Sequence, residues 1–281
     1  VIKMEYTIDE LMAVTMARLI KDGDVVFHGV ASPLPMVASR LAKLTHAPNS
    51  VYFAGTGGAM NPTPPFLPTM TQDAVLFEGA EAILTVDYIF NLAARGEMDV
   101  MYFSGGQIDK YGNLNNSLIG GIDDIKVKLP GGAGGANLSC EVNKFIIWTT
   151  RHRKRVSSSG REIYTLVDKV DFITSTGFYQ GGDSREKLGI HGGGPYKVVT
   201  ELCVFGFDEK SKIMKLETVH PDVTVEDILE NTMFTPVVPD EVGVTSHPTE
   251  EELEILRNEV DPTGIRKLEF PKDELKRKFE I

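Results

Sequence analysis

Short apolar runs recur along this chain between longer stretches of helical period, and that alternation restricts its fold more than any other feature. The segment TIDELMAVTMARLIK, residues 7–21, places Thr7 and Glu10 as a capping box and repeats Leu11, Val14, Leu19 and Ile20 at helical intervals. It stops at Asp22-Gly23, after which DVVFHG reads as a buried strand, followed by a Gly/Pro turn and the helical pattern MVASRLAKL. SVYFAG and VMYFSGG read as further strands, separated by the breaker-rich GTGGAMNPTPPFLP and a helical pattern around Ala80 to Ala93. This order predicts a parallel sheet with helices on its faces, which offers ligands the carboxyl ends of its strands. From Lys144 the chain becomes strand-rich, with KFIIWTT, VDFITS, YKVVTELCVFGF and KIMKLETV as strands and VSSSGREIYTL as a hairpin. HPDVTVEDILENT begins a helix capped by Thr224 and Asp227, and PTEEELEILRNEVDP gives a last acidic helix. The expectation is an α/β fold with a strand-rich C-terminal half. It forms one domain over residues 1–281, in which 246–281 is a helical, charged tail.

Hydrophobic residues make up 42% and charged residues 25% of the chain, which excludes a disordered or collagen-like protein. The formal net charge of −11 argues against a nucleic acid partner and against anionic membranes, since both are bound through clustered positive charge. The basic cluster RHRKR at 151–155 stands out from that background and reads as a solvated strand end, with a phosphate contact as the alternative. Cys140 and Cys203 form no CxxC pair, so neither a disulfide framework nor a thiolate zinc site is expected. No HxH or HExxH spacing occurs, and no metal is expected; His191, beside Gly192 to Gly194, reads as part of a surface loop. No run approaches the roughly 18 apolar residues needed to span a bilayer, and the start VIKMEYTIDEL shows no apolar signal region. A reducing, cytoplasmic compartment is the default.

Glycine is the most uneven residue: nine of 27 fall between Gly105 and Gly135. Glycine lets backbone amides approach a ligand closely, so PGGAGGAN at 130–137 can present several N–H groups to an anion or oxyanion, or can be a tight structural turn. It is not a P-loop, because no Gly-Lys-Ser/Thr follows. Nor is it a dinucleotide fingerprint, because the GxGxxG spacing fails and a strand, rather than a helix, is expected next. Upstream, GGQIDKYGNLNNSLIGG at 105–121 carries Gln107, Asp109, Asn113, Asn115 and Asn116. Side-chain amides can orient a carbonyl or carboxylate without net charge, or can simply bond their own loop.

GGQIDKYGNLNNSLIG, PGGAGGANLS, FIIWTTRHRKRV and VDFITSTGF resemble the B (β) subunit of glutaconate CoA-transferase, within the family I coenzyme A transferases. The resemblance extends in order from GVASPLPMVASRLAKLTHAPN to FGFDEKSKIMKLETVHPDVTVEDILENTMF and EVDP, and so covers most of the chain. It implies the parallel-sheet NagB/RpiA/CoA-transferase-like fold, an A-like (α) partner subunit, a CoA thioester as substrate and no bound cofactor. It also implies roles for particular residues. Gly131, Gly132, Gly134 and Gly135, with Asn137, would line an oxyanion site for the thioester, and Gln107, Asn113 and Asn115 would orient acyl or carboxylate groups. Gly55, Thr56, Gly57 and Gly58 would shape the floor where relatives carry a carboxylate. In that family a glutamate attacks the thioester, and an enzyme-bound CoA thioester then passes CoA to another carboxylate. Here the matching segment is VYFAGTGGAMNPTPPFLP, with Ala54 to Thr56 at the decisive place, and the first acids downstream are Asp73 and Glu78. The expected catalytic residue set in this chain is therefore none, with the acid supplied by the partner. Three readings stand: a transferase subunit, a subunit of a thioester or ring-cleaving hydrolase, and a non-catalytic scaffold.

Overall fold

The computed structural model describes residues 4–55 and 58–281, which fall into two compact units, 1–102 with 246–281, and 103–245.

In the first unit the strands Val25–His28, Val51–Ala54 and Val100–Phe103 run parallel, the last of them closing at Phe103, where the second unit opens. Val25–His28 lies in the middle, pairing Val26 with both Tyr52 and Val100. Two short antiparallel strands, Ala59–Met60 and Ala82–Ile83, extend the sheet beyond Val51–Ala54. The helices Ile8–Ala17 and Pro33–Leu44 pack together. Thr7 and Glu10 form the predicted capping box, with the Thr7 N–H donating to Glu10 Oε2 at 3.0 Å. The pattern around Ala80 to Ala93 resolves into the strand Ala82–Ile83 and a helix, Val86–Ala94, of which only Ile89 and Ala93 are buried.

Residues 246–281 carry the helix Glu250–Ile255, a π-turn Leu256–Val260 and a 3-10 turn Ile265–Glu269 against Pro33–Leu44. The strand Lys278–Glu280 follows, antiparallel to Glu5–Thr7. Buried ions tie this segment in: Arg266 reaches Asp9 at 2.8 Å, Asp261 at 2.8 Å and Glu10 at 3.1 Å. Burial pushes the Asp9 carboxyl up, and Arg266 opposes that shift. Removing one member of such a buried set costs about 3–5 kcal/mol, because the remaining charges lose their partner.

From Lys144 the second unit is rich in strands. Lys144–Thr149 runs parallel to Pro195–Thr200, which pairs antiparallel with Cys203–Phe207, and that strand pairs antiparallel with Met214–Val219. VDFITS differs from expectation: it forms a loop whose Ser175 makes a single bridge to Leu114. Val170 is buried, but Phe172 and Ile173 are exposed and have no sheet face to fill. Arg155–Val156 and Glu162–Ile163 pair as the expected hairpin, and Thr224 and Asp227 cap Val225–Glu230.

In the basic cluster His152 is fully buried. Its Nδ1 lies 3.0 Å from Thr200 Oγ1 and its Nε2 2.9 Å from Thr232 Oγ1. Burial, helped by the charge of Arg153, pushes its pKa down to about 3. The ring therefore folds neutral, whereas in the unfolded chain it protonates near 6.5. Its contribution to stability is complete above pH 6.5 and is lost as pH falls toward 3. In urea unfolding, the stability gap between the chain and its His152→Asn variant should shrink by about 1.4 kcal/mol between pH 7.5 and 5.5. A gap independent of pH contradicts the buried neutral ring.

Candidate functional site

In the second unit three loops, 104–117, 129–135 and 171–177, are sewn together through their main chains. Leu114 N–H donates to Ser175 O at 3.0 Å, and Leu114 O accepts from Thr174 N at 2.8 Å. Gly131 N–H donates to Asn116 O at 2.7 Å, which fixes the entry to the glycine bend. Thr174 Oγ1 accepts from Asn116 N at 2.9 Å and lies 2.6 Å from Ser117 Oγ. A Cβ on Gly132 would stand 2.2 Å from Thr174 Cγ2, and one on Gly135 would stand 2.5 Å from Ser175 Oγ. Those two glycines are needed because the bend lies directly on the 174–175 segment.

The bend itself is tightly turned, with φ +100° at Gly131 and +44° at Ala133. Its exit is closed by Gly135 N–H donating to Gly132 O at 2.7 Å. The amides of Gly132, Ala133 and Gly134 have no hydrogen-bond acceptor among the described residues, and all three residues keep solvent contact. Three successive N–H groups on a turned backbone are thus left without an acceptor within the chain's described residues. A helix, Gly135–Glu141, follows the bend before the strand Lys144–Thr149, so the expectation of a strand directly after it is corrected. The helix is about two turns long, too short for an apolar period to show in the sequence. Asn137 is exposed on it.

The amide side chains are occupied within the loops. Asn113 Nδ2 donates to Asp109 Oδ2 at 2.9 Å and to Tyr179 O at 2.7 Å, while its Oδ1 accepts from Gly177 N and Tyr179 N. Asn115 Nδ2 donates to Gln107 Oε1 at 2.7 Å and to Leu118 O at 2.6 Å. Gln107 in turn donates to Asp171 Oδ2 at 3.1 Å and accepts from Asp171 N at 3.0 Å. Burial raises the Asp109 carboxyl, against the hydrogen bonds from Asn113 and Tyr111. A cavity of about 440 Å³ opens beside Asp109 and Asn113, and no glycine of the bend lines it. Thr174 and Ser175, which lie against the bend, and the buried Arg185, which bonds the carbonyls of Ser139, Thr176, Gly177 and Gly192, are not marked by the sequence patterns. The hydroxyl run TST was the available signal for the first two; SREK reads as a solvated charge run.

In the first unit Gly55 and Gly58 adopt φ +51° and +67°. A Cβ at Gly55 would meet Thr71 O at 1.9 Å, and one at Gly58 would meet Leu84 O at 1.9 Å. Gly55 and Gly58 are thus each pressed against main chain, and this backbone has no room for a side chain at either glycine. Thr56 and Gly57 lie outside the described residues. No acidic residue occurs from 51 to 72. Among the described residues no cluster of His, Cys, Asp and Glu is arranged to hold a metal, and no helix is long and apolar enough to cross a membrane.

The family model described as Coenzyme A transferase matches residues 10–231. The chain belongs to that family. It is 36% identical over 256 residues to the B subunit of 3-oxoadipate CoA-transferase from Pseudomonas knackmussii, covering 90% of this chain and 92% of that protein. It is 32% identical over 263 residues to the B subunit of glutaconate CoA-transferase from Acidaminococcus fermentans, covering 92% and 93%. The IpdB subunit of a cholesterol ring-cleaving hydrolase from Rhodococcus jostii is 26% identical over 264 residues, covering 93% and 95%. Among solved structures, glutaconate coenzyme A-transferase from Acidaminococcus fermentans aligns with a TM-score of 0.80 at 29% identity, covering 92% of this chain and 95% of that one. The decarboxylase AibA/AibB aligns with a TM-score of 0.80 at 28% identity, covering 94% and 98%. The fold is therefore the mixed α/β, largely parallel-sheet fold of the CoA-transferases, as the resemblance implied.

The geometry of the bend yields a test within the family fold. Gly132→Ala should displace Thr174, loosen its bonds to Asn116 and Ser117, and lower CoA-thioester turnover about 10-fold or more. Thr174→Ser removes the clashing methyl and keeps the hydroxyl, so the double variant should recover most of that loss. Additive losses in the double variant contradict the contact.

Proposed function

We propose that this chain is the B-type component of a heteromeric enzyme acting on a CoA thioester, in which the bend Gly131–Gly135 binds the thioester carbonyl and an A-like partner supplies the catalytic carboxylate. The observation that carries the reading is the pairing of three unspent main-chain amides, at Gly132, Ala133 and Gly134, with a loop after Val51–Ala54 that holds no acid. Oriented amides stabilise the oxyanion formed when the thioester carbonyl is attacked. Covalent CoA transfer needs a carboxylate nucleophile to form the acyl anhydride, and the segment corresponding to that position in transferases offers Ala54 and Gly55. Gln107, Asn113 and Asn115 brace the loops of the second unit that carry the bend. No cofactor is required for this chemistry.

The absence of an acid at that place also favours a second reading, in which water or the substrate's own carboxylate, rather than an acceptor acid, completes the reaction. The names of the relatives, a ring-cleaving hydrolase and a decarboxylase, are in keeping with it.

A partner is supported by the first unit's surface. Phe66, Met70, Phe77, Ile83, Val86 and Tyr88 are exposed on one stretch of chain. Residues 60–94 contain Asp73, Glu78, Glu81 and Asp87 and no Lys or Arg. Such a segment fits an apolar contact whose rim is basic on the other side.

The complex with the co-expressed A-like chain should act on glutaconyl-CoA. Release in buffer alone identifies hydrolysis, and loss of carbon dioxide with the thioester intact identifies decarboxylation. CoA moving to added acetate, with no release in its absence, identifies a transferase whose acid lies in the partner. Inertness under all three conditions, with these and other acyl chains, supports a scaffold and refutes the proposal. Ile83→Asp, on an exposed edge strand, should abolish co-purification of the A-like chain without lowering the thermal midpoint of the present chain by itself. Undiminished co-purification removes this face from the interface.

A further inference from the structure

Arg185 is 5% exposed, in the four-residue helix Ser184–Lys187, and makes no ion pair among the described residues. Every hydrogen bond it makes goes to main chain. Nε donates to Gly192 O at 2.9 Å, Nη1 to Thr176 O at 2.9 Å and Gly177 O at 2.8 Å, and Nη2 to Ser139 O at 2.6 Å. A buried cation is strongly disfavoured unless its donors are satisfied, and here carbonyl dipoles alone satisfy them.

The four carbonyls belong to three pieces of chain packed around the glycine bend and the helix that follows it. Ser139 lies in the helix that starts at Gly135. Thr176 and Gly177 continue the Thr174–Ser175 segment on which Gly132 and Gly135 rest. Gly192 N–H donates to Cys140 O at 2.8 Å, on the far end of the same helix. A direct tie reinforces the arrangement, with Thr176 N–H donating to Ser139 Oγ at 3.1 Å. One planar guanidinium therefore sets the spacing between the helix that carries the bend, the wall it leans on and the loop at its end. A lysine ammonium has three donors at a single point and cannot span these four acceptors.

We propose that Arg185 is a positioning residue for the thioester carbonyl: it acts through Ser139, Thr176 and Gly177 to hold the amides of Gly132 to Gly134 in register with the reacting carbonyl. This rests on the reading of the bend as the carbonyl-binding element. Misplacing such donors lowers turnover more than binding, because they act on charge that develops only in the transition state.

The test uses the complex with the A-like chain, glutaconyl-CoA as probe, and the variants Arg185→Lys and Arg185→Met. Phe205→Leu, in the core of the second unit, serves as a control for destabilisation. Normalised to folded complex, kcat should fall about 100-fold in both Arg185 variants, with KM within about threefold of the parent. Phe205→Leu should keep its kcat at a comparable loss of thermal midpoint. Deuterium exchange of residues 130–142 in the same complex should quicken in both Arg185 variants and not in the control. Unchanged exchange in those variants overturns the positioning role whatever the kinetics. An equal fall of kcat in Phe205→Leu reduces Arg185 to a structural residue and also overturns it. Faster exchange with full kcat leaves Arg185 holding the bend but overturns the bend as the carbonyl site. Where the parent complex does not turn over glutaconyl-CoA, the exchange measurement decides whether Arg185 positions the bend.

Discussion

Approach of main chain to main chain, closer than any side chain allows, is the constraint on which the second unit is built. A Cβ on Gly177 would stand 2.3 Å from the carbonyl carbon of Gly112, and one on Gly193 2.0 Å from Asn143 O. Leu114 and Ser175 then exchange main-chain hydrogen bonds between loops that would otherwise be splayed. Once the backbones are that near, the polar side chains of the loops serve mainly to satisfy one another. The amides of Gly132, Ala133 and Gly134 are among those left without an acceptor.

Charge is distributed to suit that arrangement. The bend offers uncharged dipoles, and the buried guanidinium of Arg185 is spent on main-chain carbonyls. In the first unit the opposite holds: Arg266 gathers Asp9, Glu10 and Asp261 in a buried ionic knot that fastens residues 246–281 to the opening helix. For Glu10, burial pushes the carboxyl up, but the Arg257 hydrogen bond and the Arg266 charge outweigh it and hold it below its usual value. Buried ions of this kind fix which segments belong together more than they add net stability.

Much of the framework was legible because it rests on local period and local chemistry. The capping boxes at Thr7 and Thr224, the strands Val25–His28, Val51–Ala54 and Lys144–Thr149, and the hairpin after Arg155 all follow from side chains within a few residues of one another. VDFITS misled because a short β-branched and aromatic run signals a strand only where a sheet stands beside it, and this segment instead braces a neighbouring loop. The short helix after the bend carried no period to read. Arg185 sits in a run of charged residues that resembles a solvated surface, and nothing local marks it as buried.

By itself the sequence determined the class of fold, the family and the crowding of glycine where backbone must come close, since each depends on residue type and order alone. It also determined that no carboxylate stands between residues 51 and 72. Only the tertiary structure decided which amides of the bend are spent and which are free, that Gln107, Asn113 and Asn115 turn their polar atoms inward, and that a distant arginine spans the bend's supports. The physical reason is that hydrogen-bond satisfaction is settled between segments far apart in the chain. Donors alike in sequence differ only in what the fold brings within about 3 Å of them.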